Sequence, residues 1–461
     1  MTWDFAETNP FSSTGGDLEG LANGTADVLI SAVPQSSANG KAYQADAATY
    51  LSTGPLEVIS SDPPYYDNIA YADLSDCFYV WLRIAAASIL PELFSTVLTP
   101  KDAEIISEPN RRGGREAALR FFEDRIGVAV SRIVDAMAPA APATLYYAYK
   151  QSEDDEVDGA TVSASTGWET FLGALVASGL QTTGTIPIHT EGRTRMRAQA
   201  SNALATSIVL VCRKRPPTAP TITRADFRRQ LRAELPAALK ALQHGNIAPV
   251  DMAQASIGPG MAIYSRCTRV LEADGAAMTV RTALQLINQA LDEYLAEQEG
   301  EFDPDTRFAL TWFETRAFDA GPYGEAETLA KARNVSVQGV AEAGILHAAA
   351  GKVRLYKRAE LPANWDPAHD RRPTVWEAAQ HLIKRLDEKG EAKAAELVAA
   401  LGARAAPARD LAYRLYNVCE RKGWAEEGRA YNGLVIAWPE LEKLAANVAA
   451  ETGGPAQRDL F

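Results

Sequence analysis

PLEVISSDPPYYDN, residues 55–68, contains the turn on which the reading of this chain depends. Leu56 to Ile59 form an apolar strand core, and two serines carry it into Asp62-Pro63-Pro64-Tyr65. Proline fixes its own φ and has no N–H to give a ladder, so a Pro-Pro pair ends a central strand and turns the chain. The same pair holds a carboxylate, at Asp62, and a backbone carbonyl, at Pro63, in fixed directions beside the flat ring of Tyr65. A strand that stops in this way places its last residues outside its carboxyl end, where α/β sheets bind ligands.

Outward from that turn, strands and helices alternate. Residues 71–95 are dense in aromatic and aliphatic side chains and read as a helix ending near Pro91. Residues 115–137 read as another, with Phe121, Ile126, Val130 and Ile133 on a common face. ATLYYAYK (143–150) is strand-like, and TGWETFLGALVASG (166–179) is an amphipathic helix with Gly179 as its stop. LQTTGTIPIH (180–189) and ATSIVLVCRK (205–214) follow with no helix between them, which predicts an antiparallel hairpin at one sheet edge. The pattern predicts an α/β fold: a partial Rossmann-like sheet, then a mainly helical C-terminal region.

The boundaries expected are an N-terminal segment over 1–40, a catalytic portion over 41–217 and a helical linker region over 218–303. In the segment that follows, 304–372, GPYGEAETLAKARN and SVQGVAEAGI read as two short helices before the strand-like GKVRLYK. That order is consistent with a winged-helix unit able to contact DNA, although a purely structural helical domain is the favoured reading. Residues 373–461 read as further helices.

Composition narrows the class. With 461 residues, 47% hydrophobic and 23% charged, the chain is an ordinary globular protein of more than one domain. No apolar run is long enough for a membrane span, and MTWDFAETNP carries acid where a signal peptide carries base, so a cytoplasmic protein is expected. Cys77, Cys212, Cys267 and Cys419 have no CxxC partner, and the five histidines are scattered, so no metal site is expected. The net charge of −13 does not favour whole-surface binding to nucleic acid. Residues 191–232, however, carry ten basic residues against Glu191 and Asp226, a candidate phosphate-facing surface or a solvated basic patch.

The chemistry of the turn follows from its parts. An exocyclic aromatic amine is a poor nucleophile because its lone pair is delocalised into the ring. Two acceptors for its N–H protons pull the nitrogen toward tetrahedral geometry and localise the pair. Asp62 and the Pro63 carbonyl are such acceptors, preorganised by Pro63-Pro64, and Tyr65 offers a stacking face for a base taken out of its stack. SSDPPYYDNIAYADLSDCFYVWLR (60–83) resembles the catalytic segment of the large bacterial and archaeal adenine-specific DNA methylases that also carry a zinc ribbon. STGWETFL, MRAQASNALATSIVLVCRKRP, GNIAPVDMAQASIGPGMAIYSR and VLEADG are similar to later segments of the same proteins. The resemblance implies S-adenosylmethionine as methyl donor, adenine in DNA as acceptor, Asp62, Pro63, Pro64 and Tyr65 as the catalytic tetrad, and Asp46 as an acidic position near cofactor and amine.

The resemblance has gaps. Such methylases hold their donor through a glycine-rich loop of the D-P-F-A-G-G-G kind, and no such loop follows a strand here; GPG at 258–260 lies beyond the sheet. The zinc-ribbon cysteines are also missing. The resemblance therefore implies the later half of a longer or split methylase, with a separately encoded N-terminal half as a candidate partner. An RNA amino-group methyltransferase and an inactive DNA-binding remnant are the alternatives. For contact with DNA, Arg193, Arg195 and Arg197 share one parity in the loop EGRTRMRAQASN and could reach it from one face.

Overall fold

The computed structural model describes residues 17–32, 43–64, 69–147, 166–189 and 206–451, together with Asn9 and Phe11. Residues 1–45 and 46–461 form two compact units. In the first, helix α1 (Leu18–Ala32) begins behind Asp17, whose carboxylate accepts from the Gly20 amide at 3.0 Å and so satisfies an otherwise orphan donor.

The second unit opens with β1 (Ile59–Ser61), α2 (Tyr71–Ala86), α3 (Pro109–Arg112), α4 (Arg115–Ala136), β2 (Ala143–Tyr147), α5 (Thr166–Ala177), β3 (Leu180–His189) and β4 (Thr206–Lys214). The four strands form one sheet in the order β1-β2-β4-β3. β1 runs parallel to β2, with Ile59 opposite Ala143 and Ser61 opposite Leu145, and its other edge has no partner strand among the described residues. β4 is antiparallel to both β2 and β3, and the β3–β4 ladder carries a register shift between Thr182 and Gly184.

The helical faces explain the packing. On α4 the buried residues are Ala118, Phe122, Ile126, Ala129 and Val130. The aromatic on the core face is therefore Phe122 and not Phe121, which lies beneath the Arg112 guanidinium at 3.5 Å. Positions 122, 126 and 130 keep the i, i+4, i+8 spacing, whereas 121 sits about 100° away around the helix. α2 ends at Ala86, short of the expected Pro91, because turns at 87–89 and 91–94 take the chain away from the helix axis.

Strand β5 (Thr221–Thr223), helix α6 (Arg224–His244), helix α7 (Pro249–Ser265), strand β6 (Arg269–Leu271) and helix α8 (Val280–Glu297) follow. Thr223 and Asp226 close a reciprocal capping box at the start of α6. α7 is buried on nearly every side, as an all-round apolar helix should be. Its two glycines account for the GPG run. A Cβ at Gly258 would lie 2.1 Å from Thr185 Cγ2 on β3, and one at Gly260 would lie 2.5 Å from Ile287 Cγ1 on α8. GPG is a packing device between helix and sheet.

The remainder comprises α9 (Pro304–Arg316), β7 (Gly321–Pro322), α10 (Tyr323–Ala332), α11 (Val337–Glu342), β8 (Leu346–Ala349) and β9 (Lys352–Leu355), with the small sheet ordered β7-β9-β8. Three long helices end the chain: α12 (Val375–Leu401), α13 (Ala405–Lys422) and α14 (Ala425–Glu451). α12 breaks at Gly390, whose φ of 76° suits glycine. Phe313 on α9 is the hub where these parts meet, within 5.5–6.1 Å (ring centroids) of Phe318, Trp376, Trp424 and Tyr431. One buried apolar cluster runs from Ala48 to Ala445, so the sheet, α6–α8 and the terminal helices share a core.

Candidate functional site

Asp62, Pro63 and Pro64 leave the C-terminal end of β1 at the open edge of the sheet. Tyr65 lies outside the described residues, as do Arg193, Arg195 and Arg197. Asp62 is exposed and accepts no hydrogen bond among the described residues, while the surrounding protein partly desolvates its carboxyl and pushes its pKa above the ordinary aspartate value. It is an acceptor with spare lone pairs at a strand end.

Asp46 is placed differently. Its Oδ1 accepts from the Ala48 amide at 2.9 Å and its Oδ2 from Arg125 Nη2 at 2.5 Å. Burial pushes its carboxyl up, but the Ala48 amide and the Arg125 guanidinium outweigh that and hold it below the ordinary value. Oδ1 closes a local turn at Ala48, and Oδ2 fastens the segment before β1 to α4.

α2, the helix that follows the turn, is held through its polar side. Ala72 N donates to Glu104 at 2.9 Å, and Arg111 bridges Glu104 and Asp73. Asp76 accepts from Lys101 at 2.7 Å and from Thr99, and these partners pull its carboxyl down to about 2. Tyr79 donates to the Thr96 carbonyl at 3.0 Å. The partners lie in the irregular 93–111 segment, which clamps one side of the helix.

The basic stretch 191–232 is largely neutralised where it is described. Arg224 pairs with Glu272, Arg229 with Asp226 and Arg232 with Glu293, while Arg215 donates to the Val176, Ser265 and Cys267 carbonyls. Arg224 and Arg232 tie α6 to Glu272 and to α8, Arg229 pairs within α6, and Arg215 joins the end of β4 to α5 and α7. In the α9–β9 segment, α11 exposes Gln338 and Glu342, which hydrogen-bond each other, and the β8–β9 turn exposes His347 and Lys352.

Sequence reasoning missed a buried polar cluster around α12. Glu377 and His381, one turn apart, are buried, and His381 stacks on Trp365 at 4.5 Å. Trp365 Nε1 donates to Asp370 at 2.7 Å, and Lys384 donates to the Leu361 carbonyl at 2.7 Å. Burial, reinforced by Asp370, raises Glu377 to about 9; burial, reinforced by Arg385 and Lys384, lowers His381 to about 4. Both side chains are therefore neutral at pH 7. The only signal in the sequence is a Glu-x-x-x-His spacing, too common to single out.

Among the described residues no group of three or more His, Cys, Asp or Glu side chains could hold a metal, and no helix is long and apolar enough to cross a membrane. Cys77 is exposed on α2, and the other three cysteines are buried. No curated protein and no solved structure matches the chain. Residues 303–460, from the residue that caps α9 through the three terminal helices, match the model of a family described as a domain of unknown function (DUF8807).

Proposed function

We propose that this chain carries the amine-binding half of an S-adenosylmethionine-dependent methyltransferase that acts on the exocyclic amino group of adenine in DNA. The observation that carries this reading is a partly desolvated Asp62 carboxylate, unengaged among the described residues and followed by Pro63-Pro64 at the C-terminal end of a parallel strand. The strand order β1-β2-β4-β3, with antiparallel β4 between β2 and β3, resembles the later half of a Rossmann-like methyltransferase sheet.

In this reading Asp62 and the Pro63 carbonyl accept the two amine protons and localise the nitrogen lone pair, and Tyr65 stacks on the extruded base. S-adenosylmethionine supplies an electrophilic methyl group. The described residues do not fit that donor: no strand among them is followed by a glycine-rich loop, and Asp46 is already engaged by Arg125. The amine acceptors belong to this chain, and the donor site belongs to the remainder of a longer or split enzyme. The α9–β9 segment is read as a winged-helix unit.

The test is methyl transfer from radiolabelled S-adenosylmethionine to DNA by the complete enzyme. Replacement Asp62→Asn should lower the rate about 10²–10³-fold, the scale for losing one preorganised polar group. Activity should also fall on acidification through a pKa above the ordinary aspartate value, because only the ionised carboxyl accepts both an N–H and, later, the released proton. Unchanged activity in the Asn variant would remove Asp62 from the mechanism.

A further inference from the structure

The polarity of α2 is reversed. Leu74, Phe78, Trp81 and Leu82 fall at i, i+4, i+7 and i+8, one continuous stripe that would ordinarily face a core. They are 62%, 69%, 72% and 54% exposed. Ala72 and Tyr79, with Asp76 half-buried beside them, form the opposite, inward side, and that side is tied down by the Glu104, Lys101 and Thr96 contacts. Aligned charges hold this helix in place while its apolar face points outward.

With Tyr71 and Ile84, also exposed, the stripe presents on the order of 700 Å² of apolar surface. That is close to the ~800 Å² each partner contributes to a stable interface, and more than the few hundred Å² a monomer usually leaves bare. Beside it in sequence is a second unfinished feature. β1 is a parallel strand whose outer edge has no partner strand among the described residues, and parallel sheets are stable when covered on both faces and continued at their edges. Val58, at the start of that strand, is 67% exposed.

We infer that the outward face of α2 and the free edge of β1 form the docking surface for a separate α/β polypeptide, which adds a parallel strand beside β1, packs on Phe78 and Trp81, and brings the methyl-donor site to Asp62. This rests on the reading of Asp62 given above, since the identity of the partner follows from the donor site the described residues lack. The occupant is an α/β partner because a parallel edge is continued by a strand from a crossover unit. A second copy related by a two-fold axis would have to set β1 antiparallel to itself.

Cys77 offers a probe, being the one exposed thiol and lying on α2. The full chain, labelled there with a benzophenone maleimide, is irradiated in an extract of its own cells, and the adduct is identified by mass spectrometry. The identified polypeptide is then produced separately and mixed with unlabelled full chain. Support requires that it bind radiolabelled S-adenosylmethionine, form a one-to-one complex and protect the amides of 59–61 and 71–86 from hydrogen exchange. Trp81→Glu should weaken that complex about 30-fold or more without changing the chain's circular dichroism or melting, because the side chain lies free. An adduct with a second copy, no adduct, a partner that does not bind the donor, or unprotected 59–61 overturns the proposal, as does methyl transfer by the chain alone. A complex that meets every requirement but leaves DNA unmethylated keeps the docking surface and refutes the catalytic reading of Asp62.

Discussion

Two regions of this molecule use aromatic residues in opposite ways. Around Phe313, aromatic rings from α9, α12 and α14 close on one another and are lost from solvent, with half-buried Phe318 and Trp424 packed against them. On α2, Phe78 and Trp81 touch water while aspartates and an arginine serve the inner side. The two regions are similar in composition and differ in what completes them. The C-terminal helices complete themselves, so their rings stabilise the chain. α2 is finished by ion pairs, hydrogen bonds and the packing of Tyr79 against Phe94 on its inner side, and the rings of Phe78 and Trp81 are available to something else.

Three measurements would break or sharpen that contrast. Phe313→Ala should cost about 3–5 kcal/mol in urea unfolding, because it empties the hub between α9, α12 and α14. A loss below ~1 kcal/mol would mean that the two regions are not so different.

The pH dependence of the C-terminal helices should be next in size. Glu377 has a folded pKa of about 9 against an ordinary 4.5, so its contribution is complete below pH 4.5 and is lost as pH rises toward 9. His381 has a folded pKa of about 4 against 6.5, so its contribution is complete above pH 6.5 and is lost as pH falls toward 4. Melting temperature should therefore decline on both sides of an intermediate pH. Glu377→Gln should remove the alkaline decline, on the order of a few kcal/mol, and leave the acid one. An unaltered alkaline slope in that variant would assign the effect to another group.

The smallest effect belongs to α2. Trp81→Ser should change the unfolding free energy of the chain alone by no more than about 0.5 kcal/mol, the scale for a surface site. A cost near that of Phe313→Ala would show that the ring is packed in solution and would close the docking surface to any partner.

Much of the fold was legible in the residues. The apolar run before Asp62 with its proline stop, the α4 period, the Gly179 stop and the two uninterrupted strands that pair as β3 and β4 all follow from local rules. The candidate turn was legible for the same reason: proline geometry and the chemistry of a carboxylate are local. Other features were not. The shift from Phe121 to Phe122 on α4 is one residue in sequence but a change of face, and periodicity alone does not decide which of two adjacent aromatics points inward. The GPG run gave no sign that Thr185, far away in sequence, would press against Gly258. Arg224 and Arg232 gave no sign of being paired because their partners, Glu272 and Glu293, lie much later in the chain.

By itself the sequence determined the order of strands and helices around the turn, that Asp62 and Pro63 offer two rigid acceptors after an apolar run, and that the helix after them is dense in apolar side chains; the ends of β1 and α2 came out a few residues from where it put them. Only the tertiary structure decided which way the apolar stripe of that helix faces, that Asp46 is engaged by Arg125, that Glu377 and His381 are neutral, and that β1 has an open edge. The physical reason is that turn geometry and periodicity are set by neighbours in the chain. Burial, ion pairing and the proton a buried group keeps are set by how the chain folds back on itself, as Arg125 does on Asp46, or, on the face of α2, by a second molecule.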